Sequence, residues 1–448
     1  MLMPTHKNML KIIKRSGQSV EFERSKILNA IKGASKDADN QMKESEINNV
    51  ASFVEGKIRD NGRDVHVEEI QNMVEDALMD LGYKSVAREY IKYRKVHEMR
   101  RNAAVKLMDD YRDLLFAKAE DMDLKRDNAN INADTSMGIM LKLGTEGAKN
   151  FVNNYALDED VAKADREDWI HIHDKDFSLI TFNCCQIDLA KLLKGGFCTG
   201  HGFVREPNSI RAASACACVA IQSNQNEMFG GQSINALDFA LAPYVHKSFK
   251  KALMRILLRM EDWLGRDTYH IIPQSIKEDI IKKLIQGNNI RYGLKGEGVE
   301  IAAKAIHAEI FGEKNIEKYQ SFREAKKLYH MACEDVEEET KQAMEAMIHN
   351  FNTLHSRAGA QVPFSSVNFG LDTSPEGRLV SKWLLEAQYA GMGNGETSIF
   401  PITVFQLKAG VNYNPGDPNY DLFKRACEVS AKRLYPKQNW GLLSCTAA

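Results

Sequence analysis

Neither sign of charge prevails in this chain, and no apolar run is long enough to cross a bilayer. The 448 residues carry 60 Lys and Arg against 61 Asp and Glu, a net charge of −1. That balance points to neither a nucleic-acid nor a membrane surface as the principal partner. A pocket for a free nucleotide needs only local charge and stays open. Residues 1–14 mix His, Lys and Asn with apolar side chains and lack the long apolar core of a signal peptide or anchor; a soluble, cytoplasmic chain is the expectation. Cysteine is scarce, and of the 8 present four fall in two close pairs, Cys184 with Cys185 and Cys216 with Cys218. Such spacing is unlike the framework of a small secreted scaffold and fits a reducing compartment. Internal repeats and low-complexity tracts are absent too. What is present is length, more than one hydrophobic core normally organises, so two or more domains are expected.

Residues Lys11 to Glu23 alternate in strand fashion around Ser16-Gly17, which predicts a β-hairpin. Helical periodicity follows at Ile27, Leu28, Ile31 and Ala34, at Ile47, Val50, Val54 and Ile58, and at Ile70, Val74, Ala77 and Leu78. By composition alone the basic residues here are a solvated face. Their arrangement says more: Lys14-Arg15-Ser16-Gly17, Ser25-Lys26-Ile27, Val67-Glu68-Glu69-Ile70 and Ala87-Arg88-Glu89-Tyr90-Ile91 together resemble the ATP-cone, a regulatory module that binds ATP or dATP. The resemblance places Lys14, Arg15 and Lys26 against the triphosphate, where cations offset its charge, with Gln71 and Arg94 as further contacts and magnesium accompanying the nucleotide. Charged helical spacing continues from Val96 to about Leu124, and turn formers fill Asp127 to Asp134. The boundary is placed near Asn102, giving domains 1–101 and 102–448.

In the larger domain, His171 and His173 stand at i, i+2, so on a strand both imidazoles would share a face and, with Asp174 or Asp176, could share a metal. That pattern also opens metal-dependent hydrolase barrels, a competing reading, although the later His, Lys and Asp ligands of such a site show no comparable pattern. Cys184 and Cys185 are adjacent, so an extended backbone turns them to opposite sides and one of them is packed. Cys216-Ala217-Cys218 lies in a helix-like run and reads as core. Asn350, Asn352, His355, Arg357 and Gln361 gather amides, an imidazole and a guanidinium ahead of the strand-like Phe364 to Phe369, a polar density that burial tolerates only with partners supplied. Gly391 to Gly395 follows a helical run and precedes a strand over 399–407, so it reads as a helix-to-strand turn and not a dinucleotide loop.

Several of these segments resemble the anaerobic, class III ribonucleoside-triphosphate reductases: His171-Ile172-His173-Asp174, Asn183-Cys184 with Ile187-Asp188-Leu189, Phe229-Gly230-Gly231-Gln232-Ser233, and His355-Ser356-Arg357-Ala358-Gly359-Ala360-Gln361-Val362-Pro363-Phe364. The resemblance implies an α/β fold: a small, mainly helical ATP-cone with a β-hairpin, then the N-terminal part of a ten-stranded α/β barrel. It implies reduction of ribonucleoside triphosphates by radical chemistry, with Cys184 as the thiol that protonates the departing 2′-hydroxyl. His171, His173, Asn352, His355, Arg357 and Gln361 become substrate-pocket candidates, with no metal required. It also implies a homodimer and a radical-SAM activating enzyme as partner, with neither membrane nor direct nucleic-acid binding. Beyond about Lys437 the likeness stops. The family's hydrogen-abstracting cysteine follows Met-Gly, a context Cys445 lacks, and the Cys-x-x-Cys zinc site and the glycyl-radical segment are not in the sequence given. The expectation is therefore a piece of a reductase, inactive by itself and exposing strand edges, with a non-catalytic nucleotide-binding remnant and the hydrolase as alternatives.

Overall fold

The computed structural model describes residues 11–116, 135–182, 184–259, 278–279, 282–284, 286, 290–311 and 319–439. The turn formers at 127–134, Asn183 and Cys445 fall outside them. The chain divides into two units, Met1–Asp113 with Asn153–Ala162, and Leu114–Val152 with Lys163–Ala448.

In the first unit β1 (Lys11–Ile13) and β2 (Ser19–Glu21) pair antiparallel with Ile12 opposite Val20, closing the expected hairpin. Gly17 holds φ +79° at its turn, a conformation glycine adopts without a Cβ penalty. β3 (Val65–His66) adds to β1 in parallel. Three amphipathic helices follow the predicted periodicity: α1 (Arg24–Asp37), α2 (Glu44–Asp60) and α3 (Val67–Asp80). They bury Ile31, Val50, Val54, Ile58, Val74 and Leu78 in one core. α4 (Lys84–Phe116) continues unbroken through Asn102.

The second unit takes in the last residues of α4, from Leu114, then α5 (Ser136–Phe151) and the end of α6 (Glu159–Arg166). Its centre is a parallel sheet of five strands among the described residues: β4 (Cys185–Ile187), β7 (Gln232–Ile234), β8 (Ser365–Phe369), β9 (Ile402–Gln406) and β10 (Lys437–Asn439), in the order β10-β9-β8-β7-β4. A small hairpin, β5 (Phe197–Cys198) with β6 (Phe203–Val204), stands apart from it. Every residue of β7 and β8 is buried, as parallel strands covered on both faces require. The helices that follow β4 and β8 start at side-chain caps: Asp188 accepts from the Lys191 N–H ahead of α7 (Leu189–Gly195), and Ser374 from the Gly377 N–H ahead of α12 (Pro375–Ala390), with Pro at the first helical position. Ser209 likewise caps α8 (Ile210–Asn224). α9 (Leu237–Leu258) packs against α8, α11 (Tyr319–Thr353) and α12, and α11 also receives α10 (Glu297–Phe311). α13 (Tyr420–Arg433) closes the described chain ahead of β10.

Two local expectations are corrected. His171 and His173 do not lie on a strand: Asp165 accepts from the Ile172 N–H (3.3 Å) and pairs with Lys175, and Asp174 takes φ +48°, which curls the segment into a turn. The strand expected over 399–407 is shorter, because Asn352 Oδ1 accepts the N–H groups of Ile399 (2.8 Å) and Phe400 (3.0 Å) and withholds them from the ladder.

Candidate active site and nucleotide site

In the first unit the hairpin carries Arg15 toward α3 and α4. Arg15 Nε donates to Glu68 Oε1 and its Nη2 to Gln71 Oε1 (3.3 Å). From α4, Arg94 donates to Glu68 Oε2 (2.9 Å), Asn72 Oδ1 (2.6 Å) and Glu75 Oε1 (2.9 Å). The structure thus gathers Arg15, Gln71 and Arg94 around the Glu68 carboxylate. Partial burial pulls that carboxyl up, but the hydrogen bonds and charges of the two guanidinium groups outweigh it and set its pKa below the ordinary value. Lys14 is exposed beside Arg15 at the hairpin turn, and Lys26, on the first turn of α1, pairs with Glu23 at 3.0 Å. The roles of Glu68, Asn72 and Glu75 were not legible as such. Their signal was the 68, 71/72, 75 spacing, which makes one polar face of a helix.

In the second unit Cys184 is exposed immediately before β4, whereas Cys185 is half-buried and accepts a hydrogen bond on Sγ from Asn224 Nδ2 (3.2 Å). Cys185, Cys198, Lys191 and Asn224 line a cavity of about 930 Å³ that Cys184 does not line. The adjacent thiols therefore serve different surroundings. Cys218 is buried in α8, and burial pushes its thiol up to about 12, a packed and unreactive group.

Of the polar candidates, His171, His173 and His355 are exposed, with the rings of His171 and His173 6.0 Å apart. Among the described residues no three His, Cys, Asp or Glu side chains are placed to hold a metal ion. Asn352 and Arg357 are engaged by protein. Asn352 fills its amide capacity by donating to the Ile348 (2.7 Å) and Phe400 carbonyls and accepting from Ile399 and Phe400. Arg357 Nη1 donates to the carbonyls of Gln225 and Met228 (both 3.1 Å), its Nη2 to that of Phe229 (3.1 Å) and its Nε to Gln361 Oε1. Burial lowers its pKa to about 10, partly countered by the charge of Asp174, so it stays cationic at neutral pH. Gln361 is fully buried.

The far end of the sheet holds a polar knot that sequence reasoning left without a role. Asp238, 1% exposed, accepts from the Gly370 (2.8 Å), Asp372 (3.0 Å) and Phe239 (3.0 Å) N–H groups. Asn412 and Asn419, both fully buried, donate to the Gly370 carbonyl at 3.0 Å.

Comparison with known proteins bears on both sites. A family model described as anaerobic ribonucleoside-triphosphate reductase matches residues 127–443, and an ATP cone domain model matches residues 10–99. The anaerobic ribonucleoside-triphosphate reductase of Haemophilus influenzae is 31% identical over 430 residues, covering 95% of this chain and 51% of that protein. Its namesake from Escherichia coli is 29% identical over 428 residues, 95% of this chain and 50% of that protein. The chain spans about half the length of the curated relatives it matches. The anaerobic ribonucleotide reductase from Thermotoga maritima, solved in complex with dATP and CTP, overlays at a TM-score of 0.42 and 9% identity, covering 78% of this chain and 49% of that one, too loosely to carry an argument about fold.

Proposed function

Since the chain belongs to the anaerobic ribonucleoside-triphosphate reductase family, we propose that it takes part in reducing ribonucleoside triphosphates to deoxyribonucleoside triphosphates, for DNA synthesis, together with the part of the relatives' length that it does not span. Cys184 is the observation that carries this reading. Its thiol is exposed immediately before β4, within the matched stretch, while its neighbour is tied to Asn224. In the proposed role, once a hydrogen has been taken from the ribose 3′ position, Cys184 gives its proton to the departing 2′-hydroxyl, which leaves as water. His171, His173 and His355 border the substrate, and Asn352, Arg357 and Gln361 shape the surrounding backbone. The five parallel strands supply one half of a ten-stranded barrel. The glycyl radical and the zinc site belong to the remaining half, as does part of the choice of reductant.

Residues 1–101 act as the regulatory cone, reading ATP against dATP with magnesium through Lys14, Arg15, Lys26, Gln71 and Arg94, and residues 102–448 as the catalytic part. The full-length protein works as a homodimer activated by a radical-SAM enzyme. Two measurements on the purified chain test these readings. Calorimetric titration with ATP and dATP is expected to show binding that Lys14→Ala and Arg15→Ala each abolish. CTP is expected to slow alkylation of Cys184 by iodoacetamide while Cys198 and Cys427, also exposed, react as before. Equal reactivity of Cys184 with and without every ribonucleoside triphosphate would remove it from the substrate site.

A further inference from the structure

Arg357 makes no free cation for a substrate phosphate: four of the five N–H groups a guanidinium carries are spent inside the protein. Three of those bonds go to carbonyls of one loop, those of Gln225, Met228 and Phe229, and the guanidinium carbon lies over the Phe229 ring, 4.6 Å from its centre. Only a planar fork with fixed donor directions meets several carbonyls and an aromatic face at once.

That loop in turn holds the segment leading to Cys184. On its other contacts the Phe229 ring stacks on Phe177 at 3.9 Å and 14°. Thr181 donates its hydroxyl to the Glu227 carbonyl, and the Cys185 N–H donates to the Gly231 carbonyl at 3.1 Å. Asn224, just before the loop, donates to Cys185 Sγ and to Gln232 Oε1 (2.8 Å). Phe177, Thr181 and Cys185, on either side of Cys184, are thus all tied to residues 224–231, and Arg357 is a charged group that fixes carbonyls of that loop.

We propose that Arg357 is a positioning residue: it locks the loop 225–231, and through the loop it sets the register and orientation of Cys184. The proposal deepens the reading of Cys184 as the reacting thiol, but its readout is independent of any reaction.

The test is hydrogen–deuterium exchange on the whole chain, comparing the native protein with Arg357→Ala, Arg357→Lys and Phe229→Leu. Loss of charge-assisted bonds predicts exchange faster by roughly tenfold or more in peptides covering 181–187 and 225–232 of Arg357→Ala, with peptides of the first unit unchanged. Lysine, a point charge without the fork, is expected to restore little. Millimolar methylguanidinium, refilling the vacated place, is expected to slow exchange again in both segments of Arg357→Ala, which a general loss of packing would not do. Unchanged exchange in either segment would overturn the proposal, and so would a rise spread evenly over the second unit that methylguanidinium does not reverse. Should Arg357→Ala fail to fold, Arg357→Lys, which keeps a charge without the fork, is expected to raise exchange in the same two segments, as is Phe229→Leu, which removes the ring's contacts with both Arg357 and Phe177; no change in Arg357→Lys would equally overturn it. Failure of CTP to protect Cys184 would sink the functional reading and leave this result standing.

Discussion

Glu68 holds two guanidinium groups at once, and an anion that binds Arg15 or Arg94 competes with it for them. Exposed ion pairs are individually weak, so the displacement is cheap but measurable. Glu68→Gln is expected to tighten ATP binding roughly threefold to tenfold in calorimetry; unchanged or weaker binding would mean that Glu68 is not a competitor for these cations. Asp165 plays a different part, since its side chain and that of Lys175 are 7% and 14% exposed and hold the turn bearing His171 and His173. The Lys175 hydrogen bond keeps the Asp165 carboxyl below its ordinary pKa, against the opposing effect of burial. A folded pKa lower than the unfolded one adds stability that is complete above the unfolded value and is lost as pH falls through the folded one. Asp165→Asn is therefore expected to cost about 2 kcal/mol near neutral pH in urea titrations, and the gap to the native protein should begin to narrow below about pH 4. A gap as wide at about pH 2 as at neutral pH would contradict this. The polar stretch from Asn352 to Gln361 shows what was legible at this scale: amides and a guanidinium among apolar residues signalled a demand for partners. The partners themselves are backbone carbonyls about 130 positions earlier, such as that of Gln225, or 48 later, that of Phe400. No spacing rule reaches so far.

Among elements, the junction after β8 is the most constrained. Gly370 sits at φ +108°, and a Cβ there would lie 2.8 Å from a carbon of the Phe405 ring, while its N–H and carbonyl are taken by Asp238, Asn412 and Asn419. Gly370→Ala combines backbone strain with overpacking against a buried aromatic, and is expected to destabilise the second unit by about 2–4 kcal/mol without altering the denaturant slope. A loss of less than about 0.5 kcal/mol would show that the turn can relax. The hairpin and the helices of the first unit were legible because each buries its own periodic face: Ile27 and Ile31, Val50 and Val54, and Val74 and Leu78 all end in one core. β9 was legible in kind but not in length, because Asn352, far off in sequence, intercepts the N–H groups that would have extended it. The turn at His171 misread for the same reason, with Asp165 and Lys175 bending a segment whose alternation suggested a strand. Sheet order was not readable at all; parallel strands separated by whole helices leave no local trace of which neighbour they take.

Across the whole molecule, the two units own separate hydrophobic cores, one drawn from residues between Ile12 and Tyr90 and the other from residues between Ile187 and Val429. A chain with two cores has no reason to unfold in a single step. Calorimetric melting is expected to show two transitions, and a ligand that binds only one unit can raise only that unit's transition. At a free ATP concentration about 100 times its Kd, the bound unit gains about 2.7 kcal/mol. For a unit of this size that corresponds to a rise of roughly 10–20 °C. ATP should therefore move one transition upward and leave the other in place, and Arg15→Ala should cancel the movement without lowering the unliganded midpoint appreciably, since its exposed pair with Glu68 contributes little. CTP should act on the opposite transition if Cys184 marks a substrate site. A single transition that ATP shifts as a whole would show instead that the two cores melt as one body, and the effect of nucleotide at the cone would then reach Cys184 through stability alone.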